Sequence, residues 1–247
     1  MIKAFAILFV AALTSMAETY IVPSANGVVG VGLSMPKSEW TNCVFWMDAS
    51  FPVSGEGTTN YAIPDLSPAR NDAAQPATNS QPARVYTNGA WAYQFDGVND
   101  LAGLFRGLDV DPTNHTCIIK FRVLGNFGVR QFAINYGPSS SHRFVVGTQN
   151  GGYYYATHYD GVFTSALSGW NAVNADWVTM ALVMTGTDLV AYLNSEPMSA
   201  STSSCACGYG LTLGAYSNGN SPLTGGIAFA CIINRALTAA EVAALNN

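Results

Sequence analysis

Along residues 116–124 apolar and polar side chains alternate: Cys117, Ile119, Phe121 and Val123 fall on one side, Lys120 and Arg122 on the other. A period of two marks a half-buried strand, because successive strand residues point to opposite faces. Residues 177–184 are apolar at nearly every position, as a strand covered on both faces requires. Shorter runs of similar character predict strands at 43–47, 90–95, 130–136, 142–147, 152–158, 188–193, 209–214 and 226–233. Turn formers separate them, among them Asp96-Gly97, Gly186-Thr187-Asp188 and Asn218-Gly219-Asn220. Between 50 and 83, Pro52, Pro64, Pro68, Pro76 and Pro82 forbid long helices. One helix is predicted, over 239–245, opened by the capping box Thr238-Ala239-Ala240-Glu241. There is no internal repeat and no strand–helix rhythm, so the pattern specifies an all-β chain closed by a short C-terminal helix.

Composition adds a compartment. Lys3 followed by the apolar run 4–13 and by Ser15-Met16-Ala17 reads as a secretory signal over 1–17, with cleavage before Glu18. Residues 18–42 form a Gly/Pro/Ser-punctuated leader, and 43–247 the domain. No later apolar run is long enough for a transmembrane helix in the mature chain. Charged residues are 10% of the chain, and the only lysines are Lys3, Lys37 and Lys120. That surface suits either an extracellular β-domain rich in Ser, Thr and Asn or a face that packs against copies of itself. The net charge is −5 and the basic residues are scattered, which disfavours nucleic acid as a partner. Five cysteines leave at least one thiol unpaired or intermolecular in an oxidising compartment.

Candidate chemistry is confined to three groups. Asp96, Asn99 and Asp100 crowd one turn, and such oxygen donors suit a structural Ca2+; Asp65, Asn71 and Asp72, and Asp109 with Asp111, are further turns of that kind. The same residues cap their own backbone in turns with no ion bound. Tyr153, Tyr155 and Tyr159 share one face of a strand, where they would stack sugar rings, with His158 facing away. Trp170 and Asn171, expected in a following loop, would line the same rim. The alternative is an interior aromatic ladder. His115, His142 and His158 stand outside any Gly-x-Ser-x-Gly elbow.

Three stretches in order carry a resemblance: Trp46-Met47-Asp48-Ala49-Ser50, then Asp65-Leu66-Ser67-Pro68-Ala69-Arg70-Asn71-Asp72, then Phe95-Asp96-Gly97-Val98-Asn99-Asp100. With Trp177–Val183 and residues 226–241 they resemble the laminin-G-like (concanavalin A-like lectin/glucanase) domains of bacterial secreted proteins. The resemblance implies a jelly-roll sandwich of two antiparallel sheets. It also implies adjacent first and last strands, which would bring Cys43 and Cys231 together as a disulfide candidate; Cys205 and Cys207 are another. Glycines of the family's second motif are absent at Ser67-Pro68-Ala69-Arg70, which predicts a different backbone path there. Enzymes of this fold use a Glu-x-Asp-x-Glu strand, and retaining hydrolysis needs carboxyls about 5 Å apart. Glu18, Glu39, Glu56, Glu196 and Glu241 are isolated, with no Asp two positions away. The implied function is therefore a secreted or cell-surface, non-catalytic module recognising a glycan or surface glycoconjugate. A structural subunit of an extracellular filament, layer or particle is the alternative, and a glycan-active enzyme a further one.

Overall fold

A computed structural model describes residues 41–104, 107–125, 127–139, 142–159, 163–171, 176–202, 210–216 and 219–244. The signal sequence and residues 18–40 of the leader lie outside the described residues. In chain order the strands are β1 (Cys43–Asp48), β2 (Ala62–Ile63), β3 (Ala73–Ala74), β4 (Ala83–Thr87), β5 (Ala90–Asp96), β6 (Ala102–Leu104), β7 (Asn114–Val123) and β8 (Gln131–Ser139). There follow β9 (His142–Gln149), β10 (Tyr153–Tyr159), β11 (Phe163–Asn171), β12 (Val178–Thr185), β13 (Asp188–Leu193), β14 (Glu196–Thr202), β15 (Gly210–Leu213) and β16 (Thr224–Ile233), then helix α1 (Ala239–Ala244).

They form two antiparallel sheets. The first runs β14-β13-β12-β7-β16-β5-β4, and β16 pairs with β5 along its first half and with β1 along its second. The second runs β11-β10-β9-β8-β15-β6-β3-β2. Every strand the apolar pattern predicted is present, whereas the outermost strands of both sheets (β14, β4, β11 and β2) and the two- and three-residue strands β3 and β6 escape it. An edge strand has one paired neighbour and less apolar burial, so its sequence carries less of the alternating signal.

The alternation in β7 holds. Cys117, Ile119, Phe121 and Val123 point between the sheets into one core with Met180, Leu182, Ile134, Phe144, Tyr154 and Ile232. Phe121 meets Tyr154 of the opposite sheet edge-on, with centroids 5.7 Å apart. Strand β12 is apolar on its other side for a separate reason. Ala181 and Val183 join Trp46, Ile118, Phe229 and Ile233 in a second cluster completed by Leu237 and Val242, where α1 closes over the sheet. The capping box forms reciprocally: the Thr238 N–H donates to Glu241 Oε2 at 2.8 Å, and the Glu241 N–H to Thr238 Oγ1 at 3.3 Å. Arg235 donates to both oxygens of Glu241, at 3.0 and 2.9 Å, and draws its pKa down to about 2.

Candidate functional site

The acids of the three ordered motifs work as clamps. Asp65 is fully buried, and its carboxylate accepts the Trp46 N–H at 2.8 Å, the Ser67 N–H at 2.9 Å, the Ser67 hydroxyl at 2.8 Å and the Asn71 N–H at 2.6 Å. Asp72 in turn accepts the Asp65 N–H at 2.9 Å. The loop 65–72 is thereby riveted to β1. The lack of glycine predicts another path for it, yet Arg70 sits at φ 53, in the left-handed region. The clamp overrides the steric preference of the Arg70 Cβ. Asp48 accepts the Ser50 N–H at 2.8 Å, and burial pushes its pKa up.

Asp96 Oδ1 takes the N–H groups of Val98, Asn99 and Asp100 at 2.8, 3.2 and 3.4 Å, and Asp100 Oδ2 takes the Asp96 N–H at 2.9 Å. Burial works upward on Asp96, but those N–H groups outweigh it and hold its pKa low. Burial and then the Asp96 charge raise Asp100 to about 6. Gly97 is required in this turn: at φ 79, a Cβ there would stand 1.9 Å from Thr224 Oγ1. Asp111 likewise accepts from Thr113 and Asn114. Among the described residues no three His, Cys, Asp or Glu side chains converge as a metal site.

The tyrosines of β10 behave as a strand dictates. Tyr154 and Ala156 join the core, while Tyr155 joins Phe132 and Val145 on the outer face of the second sheet. Tyr153 is 38% exposed on that face, but Tyr155 is only 2% exposed. Register puts Tyr159 opposite Arg143 and Phe163, and Asn171 opposite Tyr153. Trp170 and Asn171 therefore lie in strand β11 rather than in a loop. The side chains of Tyr159, Trp170 and Asn171 lie outside the described set. His158 faces the interior and stacks on Phe144, with centroids 4.5 Å apart.

The structure gathers residues around Tyr155 that the sequence did not single out. Phe132 packs 6.1 Å from it, centroid to centroid, and Tyr216 packs 5.8 Å from Phe132. The Arg143 guanidinium lies 4.6 Å above the Tyr216 ring and donates to the Tyr216 hydroxyl at 2.7 Å. Arg130, exposed, stands 6.0 Å from the Tyr155 centroid. Burial raises the Tyr155 pKa against the pull of both arginines. Phe132 and Arg143 sit in strands the pattern predicted, so alternation offers a signal for them; Tyr216 follows β15 and had none. Asn135 and Thr157 flank Val145 in register on the same face.

Cys43 and Cys231 bring their sulfurs to 3.6 Å as buried thiols. The pairing of β1 with β16 causes this, setting Trp46 beside Cys231 with a bulge between Cys43 and Phe45. Cys205 and Cys207 lie outside the described residues. Cys117 faces the core, and burial pushes its thiol up to about 12.

Residues 108–243 match the sequence family described as the concanavalin A-like lectin/glucanases superfamily, of laminin G type. Curated protein sequences gave no match. Among solved structures the chain is similar to domain 4 of AbnA, an extracellular arabinanase from Geobacillus stearothermophilus, solved in complex with arabinotriose. That match has 14% identity and a TM-score of 0.57 over 68% of this chain and 82% of that one. It is similar to the botulinum neurotoxin serotype D binding domain at 12% identity and a TM-score of 0.63, over 85% of this chain and 51% of that one. Trypanosoma rangeli sialidase, in complex with the inhibitor DANA, matches at 12% identity and a TM-score of 0.58, over 82% of this chain and 32% of the sialidase. The chain thus spans about half the length of the toxin domain. At these identities the likeness is one of fold. No helix among the described residues is long and apolar enough to cross a membrane.

Proposed function

The chain belongs to the concanavalin A-like lectin/glucanase superfamily, and from that premise we propose that it is a secreted, non-catalytic module that binds a glycan on the outer face of its second sheet. One observation carries the reading: exposed Tyr153 and half-buried Tyr216 present rings on that face beside the buried pair Phe132 and Tyr155, with Arg143 over Tyr216 and Arg130 near Tyr155. Sugar rings present C–H faces to aromatics and hydroxyls to guanidinium groups, so this composition suits an amphipathic ligand. The clamp roles of Asp48, Asp65, Asp96 and Asp111 support a non-catalytic reading, because carboxylates held by backbone N–H groups are poorly placed to trade protons.

A glycan array probed with the mature chain tests this. We expect binding that falls about tenfold or more in Tyr153→Ala and in Tyr216→Ala, the loss of one stacked ring or its cation partner. Binding unchanged in both variants would move the site elsewhere, and no binding to any glycan would sink the reading. The self-assembly alternative rests on the scarcity of charge, 10% of residues. Size-exclusion chromatography and electron microscopy decide it: we expect a monomer, and ordered assemblies would favour the alternative.

A further inference from the structure

The outer face of the first sheet has two ends. One is apolar and lies under α1. The other carries Arg122, Trp177, Thr87 and Gln94 around the small residues Gly226 and Ala92. Arg122 belongs to the polar side of the β7 alternation, where a solvated head group is the ordinary outcome. Instead it is 3% exposed. Its Nη2 donates to Thr87 Oγ1 at 3.0 Å and, at the limit of a hydrogen bond, to Gln94 Oε1 at 3.5 Å. Among the described residues its buried Nε has no acceptor, and Nη2 is the guanidinium nitrogen that has protein partners.

Among the described residues no carboxylate pairs with this cation. Burial lowers the Arg122 pKa, and no acid opposes it. Asp176, the neighbour of Trp177 in the chain, is exposed and makes no ion pair with it. The guanidinium lies 4.9 Å from the Trp177 ring centroid, and the Trp177 indole N–H is also buried without an acceptor. Two buried donors that Thr87 and Gln94 leave unanswered form a one-sided set, which proteins rarely tolerate. Gly226 makes room for them. A Cβ there would come within 3.3 Å of Trp177 Cη2 and 3.5 Å of Arg122 Nε. Lys120, on the same side of β7, adds positive charge.

We propose that this basin is a second ligand site that takes an oxyanion, the carboxylate or sulfate of an acidic sugar, with Arg122 as its cation and Trp177 as the ring beside it. A buried guanidinium whose Nε–H lacks an acceptor matches the planar or tetrahedral oxygens of such a group, and the indole adds a second donor and an apolar wall. The inference rests on the glycan-binding reading for its ligand class but uses none of the residues of the tyrosine face.

The test is NMR titration of the 15N-labelled chain, following the Arg122 Nε–H and Trp177 indole signals, assigned by their loss in Arg122→Lys and Trp177→Phe. The probes are glucuronic acid, glucose 6-sulfate, glucose and inorganic sulfate. We expect saturable shifts of both signals with at least one acidic sugar and none with glucose, and at least tenfold weaker binding in Arg122→Lys, which keeps the charge but loses the planar fork. The Trp177→Phe variant, which keeps a ring, provides a second check should Arg122→Lys fail to fold. Signals unmoved by every anion would mean a bound water satisfies the donors and would overturn the site. Inorganic sulfate binding as tightly as the acidic sugars would overturn the sugar assignment. Tyr153→Ala leaves these shifts intact, so failure of the tyrosine face and failure of this basin are separately visible.

Discussion

Removing the Asp65 carboxylate is expected to be the costliest single change in the loops of this protein. It is fully buried and holds four donors drawn from β1 and from its own loop. A hydrogen bond to a charged acceptor contributes about 1.5–3 kcal/mol, but the four share one group and the Asn71 end is near water, so they do not simply add. Asp65→Ala should lower stability by about 4 kcal/mol, which for a domain of this size lowers Tm by roughly 10 °C. Asp65→Asn keeps the shape but turns a donor toward the Asn71 N–H, and should cost roughly half as much. Ser67→Ala removes one bond and should cost about 1 kcal/mol. Urea unfolding followed by circular dichroism measures all three, and hydrogen exchange at the Trp46 and Asn71 amides localises the effect. A loss below about 1 kcal/mol for Asp65→Ala would refute the reasoning, since water would then be replacing the carboxylate at no cost.

Arg70→Gly relieves the left-handed φ of 53 and should stabilise by about 0.5 kcal/mol in the same urea series, after the extra freedom of glycine in the unfolded chain is subtracted. Burial lowers the His115 pKa to about 4, against an ordinary value near 6.5, so the unfolded state takes the proton first as pH falls. Stability contributed by neutral His115 is complete above about pH 6.5 and should decline by about 3 kcal/mol on acidification to pH 4; unfolding midpoints across that range check it, and a flat profile would contradict it. The turn at Asp96, Asn99 and Asp100 is already closed by its own N–H groups, so equal Tm in calcium and in chelator is expected, and a rise with calcium would identify a bound ion. Refolding with oxidised glutathione should close Cys43 to Cys231, the glutathione disulfide taking up their electrons and thiol protons; recovery of both as free thiols by peptide mass spectrometry would count against the bond.

The sequence by itself determined whatever depends on neighbours along the chain. The apolar pattern placed the long interior strands, though not the short β3 and β6, and the spacing of Thr238 and Glu241 specified a cap that the structure forms. The family resemblance carried by the three ordered motifs implied the sandwich and the adjacency of first and last strands, and β1 and β16 do pair and bring Cys43 to Cys231. Alternation also assigned Tyr153 and Tyr155 to one face and His158 to the other. Tertiary structure decided what each of those residues meets. Nothing near Asp65 announces that its partner is the Trp46 N–H, 19 residues upstream, so its acid reads as a possible ligand until that contact is seen. Tyr155 is buried by packing with Phe132 and Val145 from other strands, and Tyr216 joins them only through the fold. Arg122 looks like a solvated polar position in its own strand. Only the pairing of β16 between β7 and β5 sets it beside Thr87, Gln94 and Trp177, with Gly226 across from it and no paired carboxylate among the described residues. Pattern is a local property of the chain, but the state of a charge depends on everything packed against it.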